Sequence, residues 1–354
     1  MPACVRNVRL SNLGSHMKTN YWLIVLVLLH IGRLDAAAQS RKIIIDCDPG
    51  IDDAMAMMLA MQYPGFDIVG ITTVFGNALL DQATRNALTI VELSGKAIPV
   101  YRGAAKPLRI ALDPPPDFVH GKDGLGNTDQ PPPKNSHRSK RAAQFIVDSA
   151  KAYPGQITIL AVGRLTNLAE AMKLDPNLTK NINEVVLMGG ALNVPGNVSP
   201  VAEANIAGDP DAADIVVTAP WKVTMIALDT TTKVKLNDAI LLRIRNASSR
   251  YGPFMFSITR FYMDFHKNVN HVEGGFFVHD PSAVMYLIDP SLFKVRQGPV
   301  RVVREGIAIG ETIMPAYEYQ MNLPPWRGKP LVTTGIDVDV PRFLATFESV
   351  MTSK

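Results

Sequence analysis

Cysteine is scarce in this chain: 354 residues hold only Cys4 and Cys47. Two thiols exclude a disulfide-stapled scaffold, so a large apolar core must hold the fold. Tryptophan is equally rare, with three residues, and charged residues reach only 19% against 47% hydrophobic ones. That balance excludes a disordered polyelectrolyte and describes a globular protein. The net charge of +4 is small, and no dense Lys/Arg stripe interleaved with aromatics appears, so nucleic acid is not an expected partner. No internal repeat and no clean linker divides the chain. Its Pro-rich runs, Asp113–Pro116 and Gln130–Lys134, bracket one long irregular loop.

The first residues stand apart from the rest. A basic, polar stretch leads into the apolar run Tyr21–Ile31 and then into Ala36-Ala37-Ala38-Gln39. This is the order of a secretory signal peptide, with cleavage expected near Ala38 and Met17 an alternative start. The apolar run is short for a span, which needs about 20 residues. The expectation is therefore a leader over 1–39, removed on secretion, and one extracellular domain over 40–354 without stable membrane insertion. An uncleaved anchor is the competing reading. Cleavage leaves Cys47 alone, and sequons stand at Asn177, Asn197 and Asn246.

From residue 42 onward, short β-branched runs alternate with helical patterns. Strands are expected at 42–46, 66–73, 156–161, 184–188, 222–228 and 300–304, and helices from 54 to 61, 77 to 95, 139 to 153, 166 to 174, 210 to 218 and 253 to 267. The helix from Ala54 is apolar nearly all round, as a helix buried against a sheet must be. The alternation predicts an α/β fold: a single domain with an open, mainly parallel, Rossmann-like sheet flanked by helices.

Chemistry concentrates where the first strand ends. Asp46, Asp48, Asp52 and Asp53 place four carboxylates in eight residues, around a Pro49-Gly50 turn that glycine permits at positive φ. Ligands of parallel sheets collect at the carboxyl ends of strands. A helix dipole cannot offset so many like charges, whereas a hard cation with all-oxygen ligands, Ca²⁺ or Mg²⁺, can. Capping and solvated surface charge would account for one or two of these acids, not four after an apolar strand.

The motif Asp46-Cys-Asp48-Pro-Gly-Ile-Asp52-Asp53-Ala54 resembles the opening signature of the inosine–uridine-preferring nucleoside hydrolases. Val74–Asn77, His120–Gly126, Gly163–Asn167, Met188–Gly190, Gly196-Asn197, Ala202–Asn205, Val278–Pro281 and Thr334–Asp337 resemble further elements of that family, in its order. The resemblance implies a fold like theirs and hydrolysis of ribonucleosides to free base and ribose. It implies Ca²⁺ held by Asp48, Asp53, the Val162 carbonyl and Asp280, with Asp48 also the general base toward a calcium-activated water. It implies that Asp52, Asn77 and Asn205 grip the ribose 2′- and 3′-hydroxyls, that Glu203 and Asn197 hold the 5′ end, that His279 serves the departing base as acid, and that His120 lies near it. A homodimer or homotetramer is implied likewise. Purine-specific members tend to stack the base between tryptophans and lack the His279 equivalent; Trp221 and Trp326 fall outside the motifs, which leans toward the less selective type. The base-contacting loop is expected within 267–277, with His266 and His271 structural.

Two other readings fit part of this pattern. A haloacid-dehalogenase-type phosphatase also opens with Asp-x-Asp, but normally continues with Thr or Val where Gly50 stands, and leaves Asp52-Asp53 unexplained. A secreted nucleoside-binding protein without turnover would be expected to have lost a catalytic residue, yet Asp48 and His279 are both present.

Overall fold

The computed structural model describes residues 40–353, except 248 and 249. The expected leader and Cys4 lie outside them, as does Ser248 of the third sequon. Twelve strands are found among the described residues: β1 (Arg41–Cys47), β2 (Phe66–Thr73), β3 (Val100–Arg102), β4 (Ile157–Ala161), β5 (Ile182–Met188), β6 (Val223–Ile226), β7 (Lys235–Leu236), β8 (Phe276–Phe277), β9 (Phe293–Gly298), β10 (Arg301–Val302), β11 (Thr312–Ile313) and β12 (Val332–Val338). Eight of them form one sheet in the order β3-β2-β1-β4-β5-β6-β12-β9. All neighbours run parallel except β9, which lies antiparallel to β12 at the edge. The α/β architecture is thus the one the alternation of apolar runs predicts.

Strand order reverses between β1 and β4. From β1 the chain winds outward through β2 and β3, and from β4 it winds the other way through β5 and β6. The crevice at such a reversal, beyond the carboxyl ends, is where open α/β sheets bind ligands. β1 delivers Asp46–Asp53 to that point, and β4 delivers Val162–Asn167.

Ile43, Ile44 and Ile45 of β1 are fully buried because helices cover both faces of the sheet. The helix Ile51–Gln62 follows, with every residue from Ile51 to Met61 buried. It packs against the helices Gly252–Asn268, Asp280–Ile288 and Val340–Thr352, which explains why it has no polar face. Helix Leu80–Ser94 ends at Gly95, whose φ of 67° closes it in the left-handed conformation.

Three expectations need correction. Asn77 belongs to a loop and its helix starts at Leu80, because the Asn77 backbone is held by Asp48 rather than by a helical turn. The 300–304 strand shrinks to β10, which pairs with β11 outside the main sheet; β9 and β12 form the sheet edge instead. Gly50 is extended, with φ −93° and ψ −163°, so positive φ is not what requires glycine there. Space is: a Cβ would lie 2.7 Å from His120 Nδ1 and 2.9 Å from Asn77 Cβ.

Candidate active site

The acidic turn is held by its own backbone. Asp53 Oδ1 accepts from the Asp48 N–H at 3.0 Å, and its Oδ2 accepts from the Gly50 N–H at 3.1 Å and from Asn77 Nδ2 at 2.8 Å. Asp48 Oδ2 accepts from the Asn77 N–H at 2.8 Å and from Arg164 Nη1. Asp46 turns away from this cluster: its Oδ1 accepts from Thr72 Oγ1 at 2.5 Å and Asn167 Nδ2 at 2.7 Å, bracing β1 to its neighbours. Cys47 is buried beside Met57, and burial pushes its thiol far above the ordinary range, so it is no nucleophile.

The far end of the chain closes the cluster. The β7–β8 pair and Val278, whose N–H donates to Val234, bring His279-Asp280 to the start of helix Asp280–Ile288. There Asp280 meets the first motif, and Asp52, Asp53 and Asp280 each offer an oxygen within 4.8 Å of the others. Asp48 and Asp52 are buried, and each leaves Oδ1 without a hydrogen-bond partner. Burial pushes Asp52 up to about 7, and pushes Asp48 and Asp280 well above the usual carboxylate range, with the neighbouring aspartates adding to each shift. Convergent carboxylates with orphaned oxygens fit a hard cation, which would supply the missing charge and partners. The Val162 carbonyl, expected as a ligand, accepts from Asn205 Nδ2 at 3.0 Å.

Above the cluster opens a cavity of about 620 Å³. Asp52, Asn77, His120, Asn197, Glu203, Asn205, His279 and Asp280 all line it, so the structure gathers eight of the sequence-derived residues around one space. Glu203 caps the short helix Ala204–Gly208, accepting from the Asn205 and Ile206 N–H groups. Asn197 Oδ1 accepts from the Ala204 N–H at 3.0 Å.

One wall is aromatic. Phe118, Tyr262, Phe265, His266 and Phe277 face the cavity with His120 and His279. Trp221 and Trp326 are absent from it; their indoles donate to Val216 and Ile313 carbonyls. Within the expected 267–277 loop, only Asn270 and Phe277 reach the cavity, because helix Gly252–Asn268 supplies the wall instead. His266, expected to be structural, is part of this wall. The signal was there in its spacing, since Tyr262 and His266 are four apart on one helix face and Phe265 lies beside them.

The imidazoles are neutral by burial. His120 and His266 are pushed down to about 3, and His279 to about 4. His120 Nδ1 accepts from the Ile51 N–H at 3.2 Å, and His279 Nδ1 lies 2.8 Å from Thr231 Oγ1. A tautomer in which the threonine hydroxyl donates to Nδ1 would place the proton of His279 on Nε2 as a hydrogen-bond donor.

Similarity to known proteins points to one family. The family model described as "Inosine-uridine preferring nucleoside hydrolase" matches residues 43–345. The chain is 41% identical to uridine nucleosidase 1 of Arabidopsis thaliana, over 86% of this chain and 91% of that protein. It is 39% identical to the inosine-uridine preferring nucleoside hydrolase of Leishmania major, over 77% and 87%. Among solved structures, a plant nucleoside hydrolase superposes with a TM-score of 0.84 at 35% identity, covering 89% of this chain and 99% of the other. A purine-preferring ribonucleoside hydrolase from Gardnerella vaginalis gives 0.82, also at 35% identity, covering 88% and 98%. The carboxylate cluster at the strand reversal, the cavity above it and these likenesses agree, and the chain belongs to the inosine–uridine preferring nucleoside hydrolase family.

Proposed function

We propose that this ribonucleoside hydrolase works with Ca²⁺ at the Asp52–Asp53–Asp280 cluster, with Asp48 and the Val162 carbonyl as further ligands, and with Asp48 as general base. The observation that carries the reading is the convergence of those three carboxylates beside Asp48, whose Oδ1 has no partner in the protein. Eight-coordinate flexibility and all-oxygen donors favour calcium over a transition metal. A hard divalent ion held there would supply Lewis acidity that lowers the pKa of a water. Asp48, through its unpartnered Oδ1, would take the proton of the attacking water. Asp53, already accepting three hydrogen bonds, anchors the turn that aims Asp48 and Asp52.

Cleaving the ribosyl–base bond builds positive charge on the ring, as in other glycoside reactions. Asp52, Asn77 and Asn205 surround the ribose end of the cavity, where carboxylate and amide oxygens stabilise that charge. Glu203 and Asn197 hold the 5′ end. The leaving base carries excess electron density toward His279, whose Nε2–H meets it as a hydrogen-bond donor. The aromatic wall supplies the apolar contact for the base. Relatives are named for uridine in one case and purines in another, which supports a cavity open to either class.

The leader over 1–39 supports secretion, and the resemblance supports a homodimer or homotetramer. Among the described residues no helix is long and apolar enough to cross a membrane. The test of the reaction is release of free base and ribose from uridine, inosine, cytidine and adenosine without phosphate. Stoichiometric binding with no ribose formed would replace hydrolysis by sequestration.

A further inference from the structure

Arg164 is a buried cation inside an acidic site. It stands in the turn after β4, at the strand reversal, and its residue is 8% exposed. Its side chain lies along a slot between two glycines. A Cβ on Gly208 would lie 2.5 Å from its Nε and 2.7 Å from its Cγ, and a Cβ on Gly76 would collide with its Nη1. The slot leads Nη1 to Asp48 Oδ2, with Asn77 Oδ1 at 3.4 Å and Asn205 Oδ1 at 3.5 Å. Nε is left buried without a partner. Burying a guanidinium with an unpaired N–H is costly, and a guanidinium does not escape that cost by losing its proton. Such a residue persists where its charge is used.

We propose that Arg164 is a built-in counter-cation that pairs with Asp48, holds the acidic site together without an ion, and lowers its affinity for a divalent one. The proposal rests on the reading of the carboxylate cluster as a cation site. A fixed positive charge on one of the four clustered aspartates cancels part of their field, so an incoming ion is attracted less strongly. The same charge relieves repulsion among the carboxylates while the site is empty. Arg164 also occupies Oδ2 of Asp48 and leaves Oδ1 as the only free oxygen, which makes it a positioning residue for the base. Metal affinity and metal-free stability are therefore set against each other by one side chain.

The test compares the full chain with Arg164→Gln and Arg164→Lys. Glutamine keeps an N–H donor for Asp48 without the charge, whereas lysine keeps the charge. Calcium affinity is measured by calorimetry, and melting temperature in EGTA. The expected result is that Arg164→Gln binds Ca²⁺ about tenfold tighter or more and melts lower in EGTA. Arg164→Lys should stay near the wild type in both. Unchanged or weaker Ca²⁺ binding by Arg164→Gln would overturn the proposal, as would an equal gain in Arg164→Lys. If Arg164→Gln does not fold in EGTA, its affinity is read on calcium-loaded protein by competition with a chelator. No Ca²⁺ binding by the wild type or either variant would instead remove the cation site itself.

Discussion

Asp48 answers two demands with one carboxyl group: Oδ2 is tied to the Asn77 N–H and Arg164, while Oδ1 is free. Asp48→Asn keeps the volume and the tied side but removes the proton acceptor. It should lower kcat by about 10²–10⁴-fold, the usual worth of a general base. An unchanged kcat would take the base role from Asp48. His279 makes a different prediction. As a donor to the leaving base, it should matter for inosine and uridine and little for a nitrophenyl riboside, whose leaving group needs no proton. His279→Ala should therefore slow the natural nucleosides by about 10²-fold and the activated riboside much less. Equal losses on both would argue for a role in binding or folding.

At the scale of elements, the turn between β1 and helix Ile51–Gln62 carries the site, and Gly50 sets its closeness to Asn77 and His120. Gly50→Ala should displace both side chains, raising KM and lowering kcat together, with a lower melting temperature. The helix itself is a core element: Met57→Ala should cost about 2–5 kcal/mol of stability, read by denaturant melts, without a matching change in KM. These elements were legible in the residues because period and burial agree. β1 is an unbroken apolar run, and the following helix has no polar face. β9 was not legible: Phe293–Gly298 carries Lys294, Arg296 and Gln297, and an antiparallel edge strand needs no continuous apolar pattern. The Asp turn announced a cation site through charge alone, but the approach of Asp280 depends on the β7–β8 pair, which is too short to leave a pattern. Arg164 gave no signal as a lone basic residue, because its importance lies in which acid it meets.

For the whole molecule, the site's acids make stability depend on pH and on metal together. Asp52, ordinarily near 3.8, is pushed up to about 7 by burial and then by Asp53. A raised folded-state pKa means that its contribution is full below about 4 and is lost as pH rises through 7. A bound cation removes that loss by stabilising the charged carboxylates. Chelation should thus lower the melting temperature more at pH 8 than at pH 5.5. The buried histidines, pushed down to about 3 and 4, are neutral in the folded protein at both pH values, so they drop out of the comparison. An equal drop at both would mean that these carboxylates do not charge in the metal-free protein. The most direct measurement is ribose release from uridine and inosine as EGTA is added and Ca²⁺ is restored, with calorimetry of Ca²⁺ on the same protein. Turnover should stop with the chelator, return with calcium, and follow the saturation of a single site that Asp280→Asn weakens. Full turnover in EGTA by protein shown to hold no ion would contradict the account.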